Sequence, residues 1–314
     1  MEPKFVCNIS SCGATVNYYS EIDLYAIFNN QTYSRDYPEI KLSKEKPIGN
    51  INLYYENSDD VFLEIEPTSI IARYPWEDMR RGEALLYLSY PLIERQHQHA
   101  AGATVHAACV SVNGEGILLL GGQGAGKTSI VLELCRHNEG IMIANDLSVI
   151  KRKENHIYCE GGTKYIFMRY ESIKRTHHDL LCHFPNCTGD TWAIKIPIEA
   201  AEVGVPTSTE PVEIKHIYRL HIDNSQNKLY SHKTTDLGTK LTLNEELSRY
   251  IRNTTTALVT GSDFRLSGYV PSLDTPDYFW KRAETIRVMT EEIGIQYISG
   301  PLDQAAEFII SRLT

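Results

Sequence analysis

The sequence predicts an α/β fold with a small β-rich layer at its N-terminal end, on three observations. The octet Gly121-Gly122-Gln123-Gly124-Ala125-Gly126-Lys127-Thr128 fits the pattern G-x-x-x-x-G-K-[ST]. The apolar run Gly116 to Leu120 leads into it as a buried strand would, and Ser129 to His137 follows with helical spacing, Ile130, Val131 and Leu134 on one side. Residues 5 to 74 have a different texture, short β-rich pieces divided by turn-formers. The expected division is an accessory region over 1–76 and an α/β core over 77–314.

The order strand, loop, helix gives the octet its chemistry. A backbone with four glycines can wrap its N–H groups around phosphate oxygens, and the following helix N-terminus adds a favourable dipole. Gly121 to Thr128, with Ser129 just inside the helix, are therefore the expected nucleotide contacts. Lys127 would hold the β and γ phosphates and the Thr128 hydroxyl would bind Mg²⁺.

Composition bounds the rest. A chain of 314 residues that is 42% hydrophobic can bury a real core. Its formal net charge of -9 argues against a nucleic-acid scanner, which binds by neutralising phosphates with a basic face. The first residues, Met1 to Val6, form neither a basic start nor an apolar segment, and no run is long enough to span a membrane. Seven scattered cysteines, an odd number, fit a reducing compartment, and a cytoplasmic protein is expected.

In chain order, Ala14–Tyr19, Leu24–Phe28, Ile51–Tyr55, Val61–Glu66 and Ile70–Tyr74 read as strands of a small antiparallel layer. Cys7 and Cys12 have no second pair nearby and are read as ordinary cysteines. From Glu77 to His99 the pattern is helical, with Pro91 expected to kink or divide it, and His97 and His99 as last-turn charges. Thr104 to Val112 reads as one strand carrying His106. After the turn Asn138-Glu139-Gly140, Ile141 to Ala144 is a second apolar strand ending at Asn145-Asp146. Ligands collect at the carboxyl ends of strands in open parallel sheets, so Asp146 and Gly121 should face the same phosphates. His177-His178, Cys182-His183 and Cys187 have the atoms for zinc but the spacing of no closed site. Gly189 to Gly204, with Trp192, Lys195 and Pro197, is expected to contact substrate. Val212–Asp223 and Lys228–Lys233 read as strands joined by a polar turn, Thr242 with Glu245 as a capping box, Pro276 and Pro301 as first helical positions, and Ile295–Ile298 as a final strand.

The pieces HAACV, GGQGAGKTS and IMIAND, with the loop starting fifteen residues after the histidine, together resemble the HPr kinase/phosphorylase family over residues 80 to 175. That resemblance implies a P-loop-containing, HPr kinase-like nucleotide-binding core that uses ATP and Mg²⁺. Carried over by position, His106 is similar to the family's active-site histidine, Lys127 to its loop lysine, Thr128 to its Mg²⁺ hydroxyl and Asp146 to its catalytic base. Glu171, twenty-five residues after Asp146, resembles a second Mg²⁺ ligand. Family members commonly carry two aspartates where this chain has Asn145-Asp146, which removes one carboxylate and bears on metal affinity and on any reverse reaction. No arginine maps onto the family's late catalytic one.

The expected function is transfer of the ATP γ-phosphoryl group to a hydroxyl, foremost a serine of a protein or peptide. A small hydroxylated metabolite as acceptor, or ATP binding without transfer, stay open as alternatives. The partners expected are a nucleotide and that acceptor, without nucleic acid or membrane; a homo-oligomer is compatible.

Overall fold

The structure, a computed structural model, describes residues 4–29, 37–79, 83–183, 190, 194–252 and 270–313. Strands β1 (Phe5–Ser11) and β2 (Ala14–Ser20) form a hairpin closed by Ser11 opposite Ala14. Its two turn residues, Cys12 and Gly13, both have positive φ, as a twist-matched two-residue turn requires. Leu24–Phe28 is not the expected strand but a short helix, α1. Leu24 and Phe28, four apart, are both buried, and the Phe28 ring meets Tyr18 edge-on at 4.9 Å, so burial on one helical face overrides β-propensity. Next come β3 (Lys41–Ser43), β4 (Asn52–Asn57), β5 (Phe62–Ile65), β6 (Ser69–Tyr74), α2 (Trp76–Met79) and α3 (Glu83–His99). Pro91 lies inside α3 without dividing it.

The expected strand over Thr104–Val112 is broken into β7 (Gly102–Val105) and β8 (Ala107–Val112), with His106 at the break. β9 (Glu115–Leu120), α4 (Lys127–His137) and β10 (Ile141–Ala144) carry the glycine loop and Asp146. They are followed by β11 (Ser148–Lys153), β12 (His156–Gly162), β13 (Tyr165–Arg169), α5 (Tyr170–Thr176), β14 (Lys195–Glu199), β15 (Val212–Ile222) and β16 (Tyr230–Lys233). Last are α6 (Asp236–Ser248), α7 (Pro276–Val288), a π-helical turn (Met289–Ile293), β17 (Gln296–Gly300) and α8 (Leu302–Ile310). α6 starts at Asp236, which puts Thr242 in mid-helix rather than in a capping box. Pro301 is the extended cap of α8, one residue before the first helical position, whereas Pro276 opens α7 as expected.

The chain divides into two compact units. The first comprises Met1–Val105, Val149–Lys153 and Lys240–Arg287. Its six-stranded sheet has the order β3-β1-β2-β4-β6-β5. The pairs β2–β4 and β4–β6 are parallel, so the layer expected to be antiparallel is mixed. Inward residues alternate along the strands (Val16 and Tyr18, Leu53 and Tyr55, Ile70 and Ala72), and α3 buries Leu85, Leu88 and Leu92. His97 is not an exposed last-turn charge: it is buried, with Nε2 3.1 Å from the Ser11 carbonyl. Glu94, also buried, accepts hydrogen bonds from Gln98 Nε2 (2.7 Å) and the Thr104 N–H (3.0 Å).

The second unit comprises His106–Ser148, Glu154–Thr239 and Val288–Thr314. Its sheet is mixed, not open and parallel: β8 is antiparallel to β9 and to β10, while β15 is parallel to β9 and to β17. β9 and β10 therefore run the same way on either side of β8, and their carboxyl ends share one edge with the start of β8. That topology brings Gly121, Asp146 and His106 together, for a reason other than the parallel sheet first expected. β16 pairs with β17 rather than with β15, so the two strands on either side of the polar turn are not hairpin partners. Ile117 to Leu120 are all buried, as a strand covered on both faces requires. One face packs Ile130, Val131 and Leu134 of α4 with Ala305 and Ile309 of α8.

Candidate functional site

The loop between β9 and α4 is tied down from below by β15. The Ile222 N–H donates to the Ala125 carbonyl at 3.0 Å. Gly126 has φ 93° and lies over Ile222; a Cβ there would fall 2.4 Å from Ile222 Cγ1. Only glycine meets both demands, left-handed backbone and close approach. On the open side of the loop, a Cβ at Gly122 or Gly124 would meet nothing within 4 Å. The helix begins directly afterwards, with the Ile130 N–H on the Gly126 carbonyl at 3.0 Å and no side chain capping its N-terminus. The first backbone N–H groups of the helix, uncapped, and the positive end of its dipole thus point towards the loop.

Lys127 is buried at the base of the loop, its Nζ donating to the Gly121 carbonyl at 2.7 Å and the Gly122 carbonyl at 3.3 Å. The same Nζ lies 3.3 Å from His106 Nε2, which lies 3.0 Å from Asp146 Oδ1. Asp146 has φ 78°, a left-handed conformation that aspartate tolerates better than most residues and that turns it off the end of β10. Burial works against the Asp146 charge, but the hydrogen bond and charge of His106, with Lys195 and Lys127, outweigh it and hold the carboxyl below the usual range.

Asn145, 1% exposed, is held from three sides. Its N–H donates to the Thr163 carbonyl (2.8 Å), its Nδ2 to the Tyr165 carbonyl (2.8 Å), and its own carbonyl accepts from the Thr163 hydroxyl. The remaining oxygen, Oδ1, faces Thr128 Oγ1 at 3.4 Å.

These groups line one cavity of about 130 Å³, with loop residues 122–129 along one side. The β13–β14 hairpin and α5 supply residues that the sequence did not single out: Phe167, Arg169 and Ser172. Lys195, expected only as part of a substrate-contacting stretch, lines it too. Arg169 and Lys195 are direct cross-strand partners, and Lys195 Nζ is 5.5 Å from the Phe167 ring centre. The pair sets two like charges side by side in the ladder, where they repel, and both line the cavity. Neither strand was expected from the sequence, and nothing local shows that residues twenty-six apart pair.

Glu171 is not among the lining residues; it sits in the first turn of α5 with its Oε1 2.9 Å from Arg175 Nε. Among the described residues no group of three or more His, Cys, Asp or Glu side chains could hold a metal ion. His177 is buried without a hydrogen-bond partner on Nε2 among the described residues, and Cys187 and Trp192 lie outside those residues.

A strand, a glycine loop and a helix N-terminus stand at the same sheet edge as a histidine–carboxylate pair, in a mixed α/β protein. Residues 97–170 match the model of the family described as HPr Serine kinase C-terminal domain, which places that segment, with His106, the loop and Asp146 in it, in an HPr kinase-like family. No curated protein matches the chain. A solved structure similar to it is that of the Hpr(Ser) kinase/phosphatase from Coxiella burnetii, 12% identical, covering 66% of this chain and 91% of that one, with a TM-score of 0.31.

Proposed function

We propose that the chain is an ATP- and Mg²⁺-dependent kinase that transfers the γ-phosphoryl group to a hydroxyl, foremost a serine of a protein or peptide. The observation that carries this reading is the convergence of Lys127, His106 and Asp146 within hydrogen-bond reach at the mouth of the glycine loop.

The donor set fits a polyphosphate. Open loop backbone, the α4 N-terminus, Lys127, Arg169 and Lys195 face one cavity, whose about 130 Å³ suits a phosphate tail rather than a whole nucleotide. Mg²⁺ usually takes one or two protein oxygens and completes its shell with phosphates and water. Thr128 Oγ1 and Asn145 Oδ1 are the oxygens at the loop for it, with Glu171 the more distant carboxylate suggested by the family resemblance. When bound, Mg²⁺ supplies neutralisation of phosphate charge.

Lys127 would give up its hold on the loop carbonyls for phosphate oxygens, a stronger charge-assisted bond. Asp146, kept ionised at neutral pH, would accept the proton of the attacking hydroxyl, and His106 would fix the carboxylate's orientation. Arg169 and Lys195 would balance the charge of the transferring group.

Asp146→Asn tests the assignment, because asparagine keeps the size and tolerates left-handed backbone but cannot act as the base. The variant should bind Mg-ATP within a few-fold of the parent yet transfer phosphate roughly a hundred-fold more slowly. The measurements are a calorimetric nucleotide titration and a single-turnover assay on serine peptides identified by mass spectrometry after incubation with ATP. Equal loss in both would make Asp146 chiefly a metal ligand, and unchanged transfer would remove it from the chemistry.

A further inference from the structure

The glycine-loop cluster lies at the carboxyl ends of β9 and β10. A second cavity, of about 320 Å³, lies in the same unit, against the middle of β15 and the start of β17. Among the described residues three cations line it, Lys215 on β15, Lys233 at the end of β16 and Arg312 after α8, and no carboxylate does. In a chain of net charge -9 this is a local reversal of sign. Lys215 is bonded to Glu213 at 2.6 Å, but neither Lys233 nor Arg312 has a carboxylate partner among the described residues. Arg312 instead lies over the Phe308 ring at 5.1 Å. Tyr218, Phe308 and Ile293 line the same cavity, two of them with flat aromatic rings.

The backbone holds this arrangement in place. Gly294 has φ 74°, and a Cβ there would lie 2.8 Å from Lys233 Cε, so the lysine stem lies directly across the glycine. The Thr234 N–H, next to Lys233, donates to the Ile295 carbonyl at 2.8 Å and fixes the end of β16 beside it. Gly294 closes the π-helical turn Met289–Ile293, a widened turn that occurs mostly as single insertions and often at functional sites.

We propose that this cavity binds a small organic anion, a phosphate or carboxylate carried on a flat apolar body, at a site separate from the glycine loop. Converging cations that each gain little in water gain more when they share one partly desolvated anion, and the apolar wall accepts the rest of the molecule. The volume falls near the lower end of the roughly 300–1,000 Å³ of small-molecule pockets.

The test uses the full chain and the aromatic sulfonate 8-anilinonaphthalene-1-sulfonate as a fluorescent probe, with inorganic pyrophosphate as competitor. The parent should bind the probe at one saturable site. Lys233→Ala with Arg312→Ala should weaken it about ten-fold or more, the loss of two charge-assisted contacts. Both side chains are exposed, and unchanged thermal melting checks the fold. The charge-keeping pair Lys233→Arg with Arg312→Lys should restore most of the affinity, and Lys127→Ala should retain it. Pyrophosphate competition that survives in Lys127→Ala assigns the anion subsite to this cavity. No saturable binding by the parent, equal affinity in the double alanine variant, or loss in Lys127→Ala would each overturn the proposal.

Discussion

His106 Nε2 stands between two groups that require different things of it. Asp146 Oδ1 at 3.0 Å accepts a proton from that nitrogen, whereas Lys127 Nζ at 3.3 Å offers one, and a single ring nitrogen meets one demand at a time. Lys127 has other acceptors in the Gly121 and Gly122 carbonyls, so the ring can serve the carboxylate. Lys127 was legible from the loop pattern alone, Asp146 from its place at a strand end, and His106 through the family resemblance. The grip on Asn145 and the cross-strand pair Arg169 and Lys195 were not, since both arise from strand pairing over distance. A different histidine gives a prediction at this scale. His177 is 3% exposed, and burial first, then Arg136 and His137, outweigh the pull of Asp179 and push its pKa down from 6.5 to about 4. Between those values the folded chain keeps the ring neutral while the unfolded chain takes up a proton. Stability from this residue is whole above about pH 6.5 and falls as pH drops towards 4, by about 1.4 kcal/mol per pH unit. His177→Phe should flatten that decline. Urea midpoints at pH 7 and pH 4.5 measure it, and an equal drop in parent and variant would show that the acid sensitivity arises elsewhere.

Among elements, β15 underpins the glycine loop. It pairs with β9 over Ile214 to Arg219, reaches β17 at its far end, and finishes with Ile222 under the loop. Sequence reading found this strand and its approximate limits because eleven residues with many buried positions leave a clear pattern. It could not find the strand's neighbours or direction, which depend on how the connections close; hence a mixed sheet was taken for a parallel one. Leu24–Phe28 failed for the opposite reason, being too short for its period to outweigh β-propensity. The packing of Ile222 on Gly126 makes a two-part prediction. Gly126→Ala adds a methyl 2.4 Å from Ile222 Cγ1 and puts alanine at φ 93°, so nucleotide affinity should fall well over ten-fold. Adding Ile222→Gly removes every atom in the way, including the Ile222 Cβ 2.5 Å from the added methyl, but not the cost of left-handed backbone, which is about 1 kcal/mol, so recovery should stop roughly five-fold short of the parent. A calorimetric titration of ATP against the three proteins reads the ladder. Full recovery would mean that the clash alone matters, and no loss in the single variant would mean that the loop has another conformation for nucleotide.

For the whole molecule the governing quantity is net charge. The chain carries 40 acidic and 31 basic residues, and its candidate site gathers a few cations inside a cavity. A cavity suits one small polyanion. A duplex needs many lysines and arginines spread over an open face, because its affinity comes from counterions released along the backbone. Among the described residues no helix is long and apolar enough to cross a membrane. An anionic bilayer surface, like a duplex, would therefore have to hold this chain against its own net charge. Full-length protein should neither retard duplex DNA nor sediment with phosphatidylserine vesicles at physiological salt. The salt dependence makes the prediction stricter. As ionic strength falls from about 0.1 M to 0.01 M the screening length grows from about 10 Å to 30 Å, and the repulsion from the net charge of -9 reaches further. A basic binding face would respond to that change with stronger retention, whereas this chain should show none at either salt. Gel shift and vesicle sedimentation at both ionic strengths decide it, and binding that strengthens as salt is removed would require a basic surface that outweighs the net charge.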